Sequence, residues 1–348
     1  MTLDEHTANH KLLHGLISLA VLAALVVGLV LAVPGLRGVG RTVAHMQPGW
    51  VVGAVLLEVA SCLGYVLAFL QVFERVPARF GARVALTELA FGAAVSLGGA
   101  GSVTVGAWML IERGGPPARV AERSAVLFLL TSAINVITLG LAGMALFVGI
   151  LPGPSNPLLS ALPAAVAIAV FVFFLALPRL VEGGAARRAP GRLRTVLETS
   201  VQSIRDTRDL LFKPDWRLTG AIIYLWADIA VLVACFAATG HTPPLATIVL
   251  AYQIGYIANL VPIPGNVGVL DGSLVGMFVI YGVSATTATA ATVVYHAVAL
   301  WIPATWGTVT YIILRRTRNQ PVRPRPTLAE RRRMRAERRA TGRDNRPD

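Results

Sequence analysis

Two carboxylates stand alone in long apolar runs: Glu58 in VVGAVLLEVASCLGYVLAFL and Asp228 in IIYLWADIAVLVAC. Glu58 lies nine residues beyond position 49 and Asp228 ten beyond position 218, where their apolar segments begin. At 1.5 Å of rise per residue that is about 14–15 Å, close to the middle of a hydrocarbon layer about 30 Å thick. An acid at that depth is costly and is kept for a reason. Two reasons are open. The carboxylates can pair with a cation or accept protons in a cavity that faces lipid headgroups, or a protonated acid can hydrogen-bond one helix to another.

A second group of residues breaks helical geometry. In AYQIGYIANLVPIPGNVGVLDGSLVGMFVIYG, residues 251–282, the backbone must leave the helix around Pro262, Pro264, Gly265 and Gly268. Backbone freed at membrane depth is tolerated only where protein or a water-filled cavity receives it. This break, with Asn259, Asn266 and Asp271 around it, is therefore the first place to seek a substrate site. Tyr252, Gln253 and Tyr256 precede it and either line the same cavity or pack. VSLGGAGSVTVGAW supplies a second irregular stretch, with Gly98, Gly99 and Gly101, although glycines also let helices pack closely. His296 and Asn135 lie in further apolar segments, where such residues serve either as ligands or as bonds between helices.

Familiar catalytic and metal signatures are missing. The chain has no P-loop, HExxH, CxxC or GxSxG, and its two cysteines, Cys62 and Cys235, fall inside apolar segments without metal-ligand spacing. We expect no catalytic residue, no metal and no cofactor.

The elements that must position these residues follow from composition. With 55% apolar and 14% charged residues and a mean hydropathy of +0.65, the chain is a polytopic helical membrane protein. Full spans are expected at 14–33, 49–73, 124–150, 158–178, 218–238 and 287–314, the first being a retained helix rather than a signal peptide. Residues 85–111 and 246–280 are each either one crossing or a re-entrant hairpin.

Charge chooses between those options. The 181–217 loop carries eight Lys/Arg and the tail from 315 carries thirteen, which places both in the cytoplasm; the connections 151–157, 239–245 and 281–286 carry none. Hairpins at both broken stretches keep Arg75, Arg79 and Arg83 inside and leave Arg37 and Arg41 outside. The expected fold is all-α: six full spans plus two opposed re-entrant hairpins in an inverted-topology repeat, in the cell membrane with cytoplasmic termini. The halves run about 14–150 and 158–314, and Glu58 and Asp228 occupy equivalent helices. Such repeats set broken helices opposite one another at the midplane, where substrate binds.

Within this transmembrane domain, 1–316, residues 191–213 have amphipathic spacing. They form a helix either on the membrane surface or packed on the bundle. The tail, 317–348, is strongly basic, which suits an anionic membrane surface; nucleic-acid binding would need more than an Arg run.

The stretch Asn259-Leu-Val-Pro262-Ile-Pro264-Gly265-Asn266-Val-Gly268-Val-Leu-Asp271, followed by an apolar helix and Tyr281-Gly282-Val283, resembles the signature of the lysylphosphatidylglycerol synthase/flippase transmembrane-domain family. Residues 85–125, with the Gly-rich stretch, a Leu/Met-rich exit and Arg113-Gly114, are similar to that family's earlier block. The resemblance covers roughly 14–316. It implies an integral membrane fold that moves or handles anionic or lipid-linked headgroups, and it carries over Pro264, Gly265, Gly268 and Asp271. Asn266 departs from the pattern where a second Gly is common, and Ser102 and Thr104 stand where many relatives have charged residues. The family's synthases add a large cytoplasmic catalytic domain. A tail of about 34 residues is below domain size, so no synthase activity is expected.

The expected function is a flippase-like transporter of a phospholipid or lipid-linked substrate. The alternative is a non-transporting membrane partner that presents a lipid carrier to a separate glycosyltransferase or lipid synthase.

Overall fold

The computed structural model describes residues 37–94, 99–154, 156–180, 191–212, 218–256 and 269–317. Among these residues there are eleven helices and no strand. A short α1 (Arg37–Ala44) leads into α2 (Pro48–Val72), and α3 (Ala78–Ala94) and α4 (Gly99–Glu112) follow. The chain continues through α5 (Pro117–Phe147), α6 (Pro157–Leu180) and α7 (Gly191–Phe212). It ends in α8 (Leu218–Ala238), α9 (Leu245–Gly255), α10 (Val269–Ile280) and α11 (Ala285–Arg316).

Five helices, α2, α5, α6, α8 and α11, have 25, 31, 24, 21 and 32 residues and are long and apolar enough to cross a membrane. They match five of the six expected spans; the sixth, 14–33, lies outside the described residues. Large side chains such as Leu158, Leu162, Val172 and Phe173 of α6 are exposed on the outside of the bundle, where only lipid makes burial unnecessary. The protein is a polytopic helical membrane protein.

Helix starts follow local chemistry. Proline opens α2 and α5 at the first turn, where its missing N–H costs nothing, and Ser284 caps α11 by accepting from the Thr287 amide. Two starts differ from expectation. α3 begins at Ala78 and α5 at Pro117, so that Arg79, Arg83, Arg119 and Arg123 lie within the first two turns of their helices.

The core is built on α2 and α8, which run antiparallel. The Gln47 amide donates to the Ala238 carbonyl at 3.0 Å at one end, and the Ser61 hydroxyl donates to the Tyr224 carbonyl at 3.0 Å nearer the middle. Their approach depends on two glycines: a Cβ on Gly64 would lie 2.5 Å from the Tyr224 nitrogen, and one on Gly220 would lie 2.3 Å from the Ala68 nitrogen.

The four shorter helices, α3, α4, α9 and α10, have 17, 14, 11 and 12 residues. At 1.5 Å per residue they measure about 16–26 Å, less than a hydrocarbon core of about 30 Å. They fold back in pairs. Gly106 of α4 sits directly against the Glu88 side chain of α3, and Ser273 of α10 donates to the Gly255 carbonyl of α9 at 2.8 Å. The second limbs end alike. Gly114 and Gly282 both take φ 88°, a left-handed conformation that glycine adopts without strain. The amides of Gly114 and Gly115 bond the carbonyls of Ile111 and Leu110, and those of Gly282 and Val283 bond Val279 and Phe278, the same closing pattern twice.

The two pairs open at opposite ends of the bundle. At one end Arg113, just past α4, donates to the carbonyls of Leu314 and Thr317 at 3.1 Å, so the α3–α4 pair opens beside the C-terminal end of α11. At the other, Tyr281, just past α10, donates to the Leu159 carbonyl at 2.8 Å, beside the start of α6 and the N-terminal end of α11. Each first limb also packs on a long helix distant from it in the chain, α3 on α11 and α9 on α5.

α7 is the packed alternative of the two readings of its amphipathic pattern. Val201, Ser203, Ile204 and Thr207 are buried against the bundle, while Gln202 and Arg205 face outward.

Candidate functional site

The α2–α8 antiparallel crossing brings Glu58 and Asp228 side by side, with their carboxyl groups within hydrogen-bonding reach of each other. Glu58 is 5% exposed, whereas Asp228 keeps partial exposure. Their other partners differ. Asp228 accepts from the Tyr252 hydroxyl of α9 and from the Tyr295 hydroxyl of α11 at 3.0 Å, and Tyr295 shares a 2.9 Å hydrogen bond with Tyr256. Glu58 Oε1 receives only the Cys62 thiol, at 3.7 Å, and Glu58 Oε2 is buried without a donor among the described residues.

A second phenol–carboxyl bond lies two turns along α2 from Glu58. Tyr65 of α2 donates to Glu88 of α3 at 2.7 Å, and its ring lies 5.1 Å from that of Tyr224 of α8. The two bonds are counterparts. In each, a residue of the central helix pair meets a residue of the first limb that follows it, 23 positions later for Tyr65 and Glu88 and 24 later for Asp228 and Tyr252. The roles are exchanged: α2 supplies a phenol and α3 the acid, whereas α8 supplies the acid and α9 the phenol.

Chemically, this is a patch of three carboxyl groups and five phenols, five of the eight buried and Asp228, Tyr224 and Tyr256 partly exposed. Each carboxyl must be matched by a donor, a proton or a cation, since an unpaired charge in a dry interior is very costly. It is an arrangement for holding protons or positively charged groups.

Of the residues singled out from sequence, Glu58 and Asp228 come together, joined by Tyr252 and Tyr256. Asn259, Pro264, Gly265, Asn266, Gly268 and Gly98 lie outside the described residues. Gly99 and Gly101 fall in the first turn of α4, and Asp271 falls in the first turn of α10. On α11 it is Tyr295 that reaches Asp228; His296, the next residue, is partly buried. Asn135 donates within its own helix, to the Thr131 carbonyl at 2.9 Å. Glu88, Tyr65, Tyr224 and Tyr295 were not anticipated. Glu88 carried a legible signal, a lone acid in ALTELAFG, the same pattern that marked Glu58.

A family model described as "Lysylphosphatidylglycerol synthase TM region" matches residues 15–307. The chain belongs to this family. The lysylphosphatidylglycerol synthase transmembrane region therefore takes in both folded-back helix pairs and every member of the carboxyl–phenol patch. The chain is also similar to two proteins of Methanothermobacter thermautotrophicus, each described as a "UPF0104 membrane protein". One is 36% identical over 90 residues, covering 25% of this chain and 26% of that protein. The other is 27% identical over 173 residues, covering 44% and 51%. The chain thus matches about a quarter of one relative's length and about half of the other's.

Proposed function

We propose that the protein is a flippase-like transporter that moves a phospholipid or lipid-linked headgroup across the cell membrane. In this reading the span at 14–33 completes six full crossings. The α3–α4 and α9–α10 pairs are re-entrant hairpins entered from opposite faces, and both termini are cytoplasmic. The observation that carries it is the pair of exchanged phenol–carboxyl bonds made by α2 and α8, reached by helix pairs that open at opposite ends. An inverted repeat built this way gives two related conformations of similar energy, each open to one leaflet. Headgroup polarity is accommodated between the halves, where Asp228 is partly exposed and where Gln253 Nε2 and Thr292 Oγ1 are buried without partners among the described residues. Family membership supports a role with lipid headgroups.

The test is translocation of a fluorescent phospholipid in reconstituted liposomes, read by quenching from the outer face. Glu58→Gln and Asp271→Asn are expected to slow movement while leaving insertion intact. Normal movement by both removes these residues from the mechanism. A wild-type protein that moves no lipid yet copurifies with a membrane synthase or glycosyltransferase favours a role in presenting lipid to that enzyme.

A further inference from the structure

The donors around the central carboxyl pair are unevenly divided, and the division says where a proton must be. Ionised carboxylates only accept hydrogen bonds, so two carboxyl groups in contact need a proton between them. Glu58 Oε2 is buried, receives no donor among the described residues, and its carboxyl faces that of Asp228. Asp228 already accepts two phenols, whereas Glu58 receives one weak thiol bond. The proton therefore sits on Glu58 and is donated to Asp228, and the negative charge sits on Asp228.

The surroundings contain the groups such a site needs. On α2 Cys62 faces Glu58, and on α8 Tyr224 and Cys235 lie near Asp228. From α9 come Tyr252 and Tyr256, and from α11 Tyr295, with the His296 imidazole one position farther along. Glu88 of α3 is held by Tyr65, two turns along α2 from Glu58. The phenols and the thiol bonded to the pair carry no fixed charge, which leaves its charge to be set by protons.

We infer that Glu58 and Asp228 form a proton-binding site that couples proton movement to the headgroup transport proposed above, on which the coupling rests. With one proton, Asp228 is an anion gripped by Tyr252 and Tyr295, which ties α9 and α11 to α8. A second proton neutralises Asp228 and replaces two charge-assisted bonds by weaker neutral ones. That releases α9, the first limb of the second hairpin. Loss of the proton to the opposite side restores the grip.

Two measurements on the full chain test this. The first is the infrared carbonyl band of protonated carboxyl groups in lipid nanodiscs, assigned by isotope labelling of Asp and Glu. At neutral pH a band is expected that is kept in Glu88→Gln, lost in Glu58→Gln, and shifted in frequency in Asp228→Asn because an amide replaces the acceptor. A spectrum in which no band responds to Glu58→Gln or Asp228→Asn overturns the site. The second is movement of a fluorescent phosphatidylglycerol in vesicles carrying a pH gradient of either direction. Wild-type rates should depend on the gradient, and whatever movement Glu58→Gln retains should not. Lipid movement indifferent to the gradient overturns the coupling and leaves the flippase reading standing. No lipid movement under any gradient sinks the flippase reading, and a band lost only with Glu58→Gln then still supports the proton site.

Discussion

Tyr65 and Glu88 are joined by a 2.7 Å hydrogen bond between two buried side chains, and that bond holds the first folded-back helix pair against α2. Glu88 is pressed from the other side by Gly106, where a Cβ would lie 1.6 Å from its Oε1, so the carboxyl is clamped between α2 and α4. Interhelical hydrogen bonds in membrane proteins contribute about 0.6 kcal/mol on average and up to about 1.7. Tyr65→Phe should destabilise the protein by about 1 kcal/mol on this scale. Denaturant titration of a double-mutant cycle with Glu88→Gln checks it, and a coupling energy of zero would sink the assignment.

Gly106 itself gives a sharper prediction. Its missing side chain is the space Glu88 occupies, so Gly106→Leu must expel the carboxyl or separate α3 from α4. Overpacking of this kind costs about 1–3 kcal/mol, occasionally more. The substitution should lower thermal stability more than Gly272→Ala, since a Cβ at Gly272 meets nothing within 4 Å.

Gly220 allows the closest approach of the central pair. A Cβ there would lie 2.3 Å from the Ala68 nitrogen and 2.9 Å from Gln71 Oε1. Because the obstacle is backbone, Gly220→Val can be relieved only by moving α8 away from α2. It is expected to impair folding and to separate Glu58 from Asp228. Crosslinking yield between cysteines placed on the two helices should fall; an unchanged yield with normal stability would contradict the packing.

Arg113 ties the end of α4 to the last helix. Its guanidinium donates to the Leu314 and Thr317 carbonyls at the C-terminal end of α11, where positive charge is favoured, and lies 5.3 Å from the centre of the Phe80 ring. Hydrogen bonds to charged groups contribute about 1.5–3 kcal/mol. Arg113→Ala should therefore loosen the end of α11, seen as faster hydrogen exchange over residues 310–317. Arg113→Lys should restore only part of the protection, since an ammonium lacks the planar fork.

The two glycines that close α4 and α10 make a final test. Both Gly114 and Gly282 have φ 88°, and a Cβ added to either would meet no atom within 4 Å, so the penalty of an added methyl is conformational rather than steric. Alanine where φ is positive destabilises by more than the roughly 0.4–1 kcal/mol that Gly→Ala gains at compatible sites. Gly114→Ala and Gly282→Ala should each lower stability by about the same amount in denaturant titration, since the two turns share one hydrogen-bond pattern.

Much of this protein was legible without coordinates, because a bilayer imposes its demands residue by residue. Uncharged length set the spans, and α2, α5, α6, α8 and α11 stand where those lengths placed them. The cost of a lone acid in hydrocarbon marked Glu58 and Asp228, and the same rule would have marked Glu88. Clustered helix breakers marked the places where α3 gives way to α4 and α9 to α10. Partnership was not legible. Whether α11 offers Tyr295 or His296 to Asp228 depends on the rotation of one helix about its axis, and a shift of one residue turns the side chain by about 100°. That Tyr65 meets Glu88 and that Asp228 meets Tyr252 depends on how closely Gly64 and Gly220 let two helices approach and on which way the short helices fold back. Those are properties of packed surfaces, and only the tertiary structure decides them.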